Sequence, residues 1–206
     1  MGSYESEVKE EMSKGKRVDG KLDITLIKFV CQTSPLTLNK TENLPHFFKK
    51  VALLNSFSDR EVWQLSKFLH RREFRVDEVV FRQGDSGYGF YFIFSGAVNV
   101  MADLGAKVDN PNGELVVQLK QHQYFGEMGL LEDFNRRSAT VIASEKTVLL
   151  GLFKPDLEDL IETYPIVGAK FLREISLVMA TRMSQLSEEL MTLKKKVNEY
   201  EGKANS

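Results

Sequence analysis

The chain has 206 residues, 42% of them hydrophobic and 28% charged, with a formal net charge of -1. That is a soluble, globular composition, long enough for one good core with a helical extension. A balance this near zero excludes a global field for nucleic acid or acidic lipid, and a lone cysteine, Cys31, excludes an internal disulfide framework.

Residues 1–42 read as a flexible N-terminal segment in which 21–32 (KLDITLIKFVCQ) are apolar enough to form a docking element. The start is charged and lacks an apolar signal core, and no apolar run in the chain reaches membrane-spanning length, so the cytoplasm is the default location. Gly2 with Ser6 fits the myristoylation pattern, although Glu5, Glu7, Glu10 and Glu11 oppose the basic residues that would support an anchor. A single acyl chain would give only weak, reversible membrane association.

Leu44, Phe47, Phe48, Val51 and Leu54 recur at helical spacing, with His46 on the polar flank. Ser58 followed by Glu61 is a capping-box pattern, with Phe57 as its staple. It opens a helix whose apolar face is Val62, Leu65 and Leu69, with Trp63 and Phe68 read as packing residues. From about residue 71 the period changes to two. Short apolar stretches follow, around Phe74–Phe81, FYFIF (90–94), AVNVMA (97–102), ELVVQL (114–119), TVIA (140–143) and TVLLGLF (147–153). Glycine turns separate them, and a loop spans 103–113. This pattern predicts a mainly β fold, an antiparallel β-roll or jelly roll with flanking helices. TVLLGLF has no polar alternation and should be buried on both faces.

Lys154, Pro155 and Asp156 start a hinge helix, and Pro165 breaks it and restarts the chain. Residues 165–206 form a long C-terminal helix and a polar tail. Leu172, Met179, Leu186, Leu193 and Tyr200 make one seven-residue track, and Ser176, Met183, Leu190 and Val197 the other. A helix of about 50 Å outruns so small a barrel. Its first turns can fold back on the domain. Beyond Leu186 the expectation is a parallel homodimer through residues 172–200. The domain plan is therefore 1–42, a β-roll with its helices over 43–164, and a lid and dimerisation helix over 165–206.

The chemistry-bearing stretch runs from Tyr124 to Ala143 (YFGEMGLLEDFNRRSATVIA). Gly126 and Glu127 open a short helix whose inner face is Met128, Leu130 and Leu131. Arg137, Ser138 and Ala139 lead into the next strand. A glycine with exposed amides can hold an anion, and an arginine can take it as a fork. Phosphate plus ribose is the ligand class that suits this set. On these residues alone, Glu127 is as good a helix cap as a ligand, and Arg137 as good a surface charge paired with Glu132 or Asp133. Enzyme readings fail their context tests. GDSGYG (84–89) precedes a strand rather than a helix, no nucleophile has its partners, and His46, His70 and His122 lie on unlike elements. No catalytic residue and no metal site is assigned.

Gln83, Gly84, Asp85, Gly87, Tyr91, Phe92, Ile93 and Gly96 occur in an order that resembles the cyclic nucleotide-binding domain family. That family includes the bacterial catabolite activator protein and the regulatory subunits of cyclic-AMP-dependent protein kinase. Phe125-Gly126-Glu127, the apolar residues after it, then Arg137-Ser138-Ala139-Thr140 resemble the family's phosphate-binding cassette. Tyr88 departs from the pattern, as do Lys120, Gln121, His122 and Gln123 before the cassette. The resemblance implies a sensor that binds a cyclic nucleotide and is not an enzyme. Glu127 would accept from the ribose 2′-hydroxyl, and Arg137 would pair with the cyclic phosphate. Backbone amides around Gly126–Met128 and Ala139 would complete the pocket. Ser138 is the family's selectivity position, where serine implies cyclic AMP over cyclic GMP, although a serine can also contact guanine. The C-terminal helix would lid the base, with Arg182, Met179, Met183 and Ser184 as candidates. No DNA-binding module follows the long helix, so DNA binding is not expected. The output would lie in an unidentified effector or in a domain of a longer protein.

Overall fold

The computed structural model describes residues 44–103, 113–131 and 136–204. The docking element at 21–32, Gly2, Cys31, Glu132, Asp133 and most of the 103–113 loop lie outside the described residues.

The first apolar stripe forms in two pieces. Helix α1 (Leu44–Phe48) is followed by a 3-10 turn (Ala52–Leu54). Leu44, Phe47, Phe48, Val51 and Leu54 are all buried, as their spacing requires. Helix α2 (Asp59–Ser66) starts at the capping box. The Ser58 N–H donates to Glu61 Oε2 at 2.7 Å, and the Glu61 N–H donates to Ser58 Oγ at 3.3 Å. Val62 and Leu65 point inward, but Trp63 is 58% exposed and is not the packing residue expected of it. One helical step carries residue 63 about 100° away from the buried face. Lys67 instead covers its ring, 3.7 Å from the centroid.

Among the described residues eight strands follow: β1 (His70–Phe74), β2 (Val79–Phe81), β3 (Gly89–Ser95), β4 (Ala97–Ala102), β5 (Glu114–Lys120), β6 (Tyr124–Phe125), β7 (Thr140–Ala143) and β8 (Thr147–Phe153). They form two four-stranded sheets, ordered β1-β8-β3-β6 and β2-β7-β4-β5, with every pairing antiparallel. This is the β-roll that the period-two pattern implies. Strand β8 is buried along its whole length, because both of its faces meet a core. Leu150 and Leu152 join Phe90 and Phe92 under the helices. Leu149 and Phe153 turn the other way, into the roll with Tyr91, Ile93, Phe125 and Val141. Burying side chains on both faces of β3 and β8 joins the helical layer to the roll through one shared sheet.

Between β6 and β7 lies the five-residue helix α3 (Glu127–Leu131). After β8, α4 (Lys154–Thr163) begins where the Phe153 N–H donates to Asp156 Oδ2 at 3.1 Å. It ends at Tyr164, and α5 (Pro165–Ala204) runs for 40 residues, about 60 Å at 1.5 Å per residue. Val167, Phe171 and Ile175 bury the first turns of α5 in the helical core. Lys170 Nζ donates to Glu61 Oε2 at 2.9 Å and ties α5 to α2. Among the described residues, no helix is long and apolar enough to cross a membrane.

Candidate functional site

The site is built where β6 ends. Strand β6 pairs with β3, which places Phe125 beside Tyr91 inside the roll. The chain must then turn sharply into α3. Gly126 makes that turn at φ +89°, and a Cβ there would stand 2.7 Å from the Gly89 carbonyl oxygen. Both facts demand glycine. Glu127 therefore emerges at the first position of α3 and points into the protein, where it is only 6% exposed.

Arg137 reaches the same place from the other side. Its backbone is zipped to the turn after β2. The Gly84 N–H donates to the Arg137 carbonyl, and the Arg137 N–H donates to the Asp85 carbonyl, each at 2.8 Å. The guanidinium is buried. Nη2 donates to the Gly89 carbonyl at 2.8 Å, and the ring of Phe81 lies 4.1 Å below it. Backbone packs tightly around it: a Cβ on Gly129 would fall 2.6 Å from Nη1, and one on Gly87 3.0 Å from Nε. The surface-charge alternative for Arg137 is thus excluded by its burial, at 6% exposure. Carbonyl dipoles and an aromatic face hold a full positive charge in a set orientation, out of water.

These groups border a cavity of about 360 Å³, within the range of small-molecule sites. Gly126, Glu127, Met128, Arg137, Ser138 and Ala139 all lie on its wall. Two expectations about α3 need correction. Met128 is 44% exposed and Leu131 38%, so neither packs inward; Leu130 does. A five-residue helix offers room for one such contact, and the side facing the roll is taken by Gly129 against Arg137.

Three further features on that wall were not assigned from the sequence. Val100, Val117 and Leu119 from β4 and β5 form an aliphatic side. Their alternation was legible in the strands, but nothing in it marks a cavity. Arg136 stands beside Arg137 and donates Nη1 to the Gly84 carbonyl at 3.0 Å. Arg182 arrives from α5 and is, of the four helix candidates, the one on the cavity wall. Met183 is 71% exposed, and Met179 packs against the helical core.

Arg182 Nη1 donates to Glu127 Oε1 in a close ion pair. The second oxygen, Oε2, is buried and has no hydrogen-bond partner among the described residues. A buried carboxylate oxygen left unmatched costs on the order of 1–3 kcal/mol, so it marks a place where a donor belongs. Burial pushes the neighbouring Tyr124 phenol up, against the opposing pull of the Arg182 charge. The three histidines serve elsewhere. His70 Nε2 lies 3.1 Å from Asp156, and His122 stacks on Phe47, its pKa held down by burial and then by Lys50 and His46. Among the described residues, no three His, Cys, Asp or Glu side chains gather as a metal site.

Residues 71–164 match the family model described as the cyclic nucleotide-binding domain. This part of the chain belongs to that family. The cyclic AMP receptor protein of Thermus thermophilus is 30% identical over 139 residues, which is 67% of this chain and 60% of that protein. The cAMP-dependent protein kinase regulatory subunit of Dictyostelium discoideum is 35% identical over 51% of this chain and 32% of its own length. A crystal structure of the Thermus thermophilus catabolite activator protein superposes with a TM-score of 0.60 at 30% identity, over 69% of this chain and 62% of that one. The chain thus spans 60% or less of these curated relatives.

Proposed function

We propose that the chain is a sensor that binds a cyclic nucleotide, cyclic AMP in preference to cyclic GMP, and performs no chemistry on it. The observation that carries the reading is the buried, unmatched Oε2 of Glu127 on a cavity whose wall also holds the Arg137 guanidinium. A ribose 2′-hydroxyl supplies the donor that Oε2 lacks. A cyclic phosphate diester carries one negative charge and no second ionisation, which one buried guanidinium neutralises. Gly126, Met128 and Ala139 line the cavity, and Ser138, exposed on its wall, would touch the base. The aliphatic wall of Val100, Val117 and Leu119 offers the base surface without hydrogen-bond partners. Purine choice would then rest on Ser138 and Arg182.

The relay would run through Glu127. Its carboxylate is the point where the sugar and the C-terminal helix meet, because Oε1 already holds Arg182. A hydroxyl on Oε2 changes what that ion pair is worth, and so biases the position of α5 relative to the hinge at α4 and Tyr164. Residues 172–200 would pair two chains, and an effector protein or a domain of a longer chain would read the helices. The competing reading is an interaction module that keeps the β-roll and binds no nucleotide. A buried carboxylate oxygen without a partner argues against it, since nothing would offset its cost in such a module.

Calorimetric titration with cyclic AMP and cyclic GMP tests the reading. Wild type should bind cyclic AMP more tightly, and Arg137→Ala should lose on the order of 2–5 kcal/mol. Equal affinity in wild type and variant would remove Arg137 from the site. Absence of heat with either nucleotide would favour the interaction module. For the dimer, a chain truncated after Gln185 should sediment as a monomer.

A further inference from the structure

The ionisable groups on the cavity wall do not balance. Among the described residues, three guanidinium groups (Arg136, Arg137 and Arg182) face one carboxylate, Glu127. Arg182 is paired with that carboxylate. Arg137 is buried deep in the glycine cage. Arg136 is different from both. It is exposed, it stands where the cavity meets solvent, and its guanidinium donates to a neutral group, the Gly84 carbonyl at 3.0 Å. Among the described residues, no carboxylate forms a salt bridge with it. A guanidinium anchored by a carbonyl keeps its full charge while losing its freedom to swing away.

We propose that Arg136 is an electrostatic steering residue, which draws an anionic nucleotide to the mouth of the cavity while Arg137 holds it inside. The inference rests on the nucleotide reading above and assigns the two adjacent arginines opposite kinetic roles. An exposed charge acts through the solvent over about one Debye length, roughly 10 Å at 0.1 M salt, and so changes the rate of encounter. A buried charge acts on the bound state and so changes the rate of release. The sequence places the two side by side because residues 136 and 137 lie on a strand-like stretch, where Arg136 bridges to Ser86 and successive side chains point opposite ways.

The test is stopped-flow association of cyclic AMP carrying a fluorophore at the purine 8-position, read at low and high salt. At about 20 mM salt, Arg136→Gln should associate about threefold more slowly than wild type, and Arg136→Glu about tenfold more slowly. Arg136→Lys, which keeps the charge, should stay within about twofold of wild type. Dissociation should be unchanged in all three, and the association differences should vanish above about 0.5 M salt. Association of Arg136→Glu at the wild-type rate would overturn the proposal. So would a loss that appears in dissociation or survives high salt, which would make Arg136 a staple for the Gly84 turn. A wild type that binds no cyclic nucleotide removes the nucleotide reading and this one with it. Tight binding with an indifferent Arg136→Glu removes steering alone.

Discussion

The two halves of the C-terminal helix carry apolar stripes of similar periodicity and meet opposite fates. In the first half Val167, Phe171 and Ile175 are 3%, 0% and 1% exposed, packed under α2 and the shared sheet. In the second half Leu186, Leu190, Leu193 and Val197 are 65%, 55%, 58% and 52% exposed. Arg182 stands at the boundary and ties the last anchored turn to Glu127. Helical period shows that a face must be covered. It does not say by what, because a core and a second helix place the same demand on spacing. The stripe also shifts between the halves. The buried one runs through 167, 171 and 175, whereas the exposed one follows the tracks that include 183, 186, 190, 193 and 197.

The contrast is most sharply tested at Phe171. Truncating this fully buried ring with Phe171→Ala should cost about 3–5 kcal/mol in urea unfolding. A loss below about 1 kcal/mol would mean that the first half of the helix is not docked as described. At the boundary, Arg182→Ala leaves the Glu127 carboxylate buried without its cation. The expected loss is about 1–2 kcal/mol, reduced from the fully buried case because Arg182 is itself half exposed. The double variant Arg182→Ala with Glu127→Gln should recover part of it, and simple additivity in that cycle would show that the pair is uncoupled.

The tie between α5 and α2 has a pH signature. The Ser58 N–H and then Lys170 bring the Glu61 carboxyl down from 4.5 to about 2. Because the folded value lies below the unfolded one, this stabilisation is complete above pH 4.5 and is lost as the pH falls toward 2. With solvent screening it is worth roughly 1 kcal/mol. Thermal melts of wild type and Glu61→Gln should differ at pH 6 and converge near pH 2.5. A gap that stays constant across that range would place the effect in packing. The smallest effect belongs to the outer half: Leu186→Ser and Leu190→Ser should change the stability of the isolated chain by less than about 0.5 kcal/mol. They should nevertheless abolish pairing in sedimentation at high protein concentration, and a dimer that survives both would place the contact elsewhere.

Local chemistry was readable in advance. The Ser58–Glu61 capping box, the doubly buried β8 and the turn of α3 after Gly126 all follow from residue types at short range, where backbone and side-chain preferences act within a few positions. The cassette residues were legible as a group for the same reason, since Gly126 to Ala139 is one short excursion between two strands. What only the folded arrangement decided were the long-range neighbours. Arg182 lies 55 positions from Glu127, and nothing in the sequence separated it from Met179, Met183 and Ser184, the other candidates to lid the base, until α5 docked and put Arg182 on the cavity wall. Trp63 looked like core and is exposed. Glycines 87, 89, 126 and 129 enclose a guanidinium that arrives from a different segment. Spacing along a chain records which side of an element must avoid water. It does not record which distant charge, ring or carbonyl will stand opposite, and that is a property of how the elements pack.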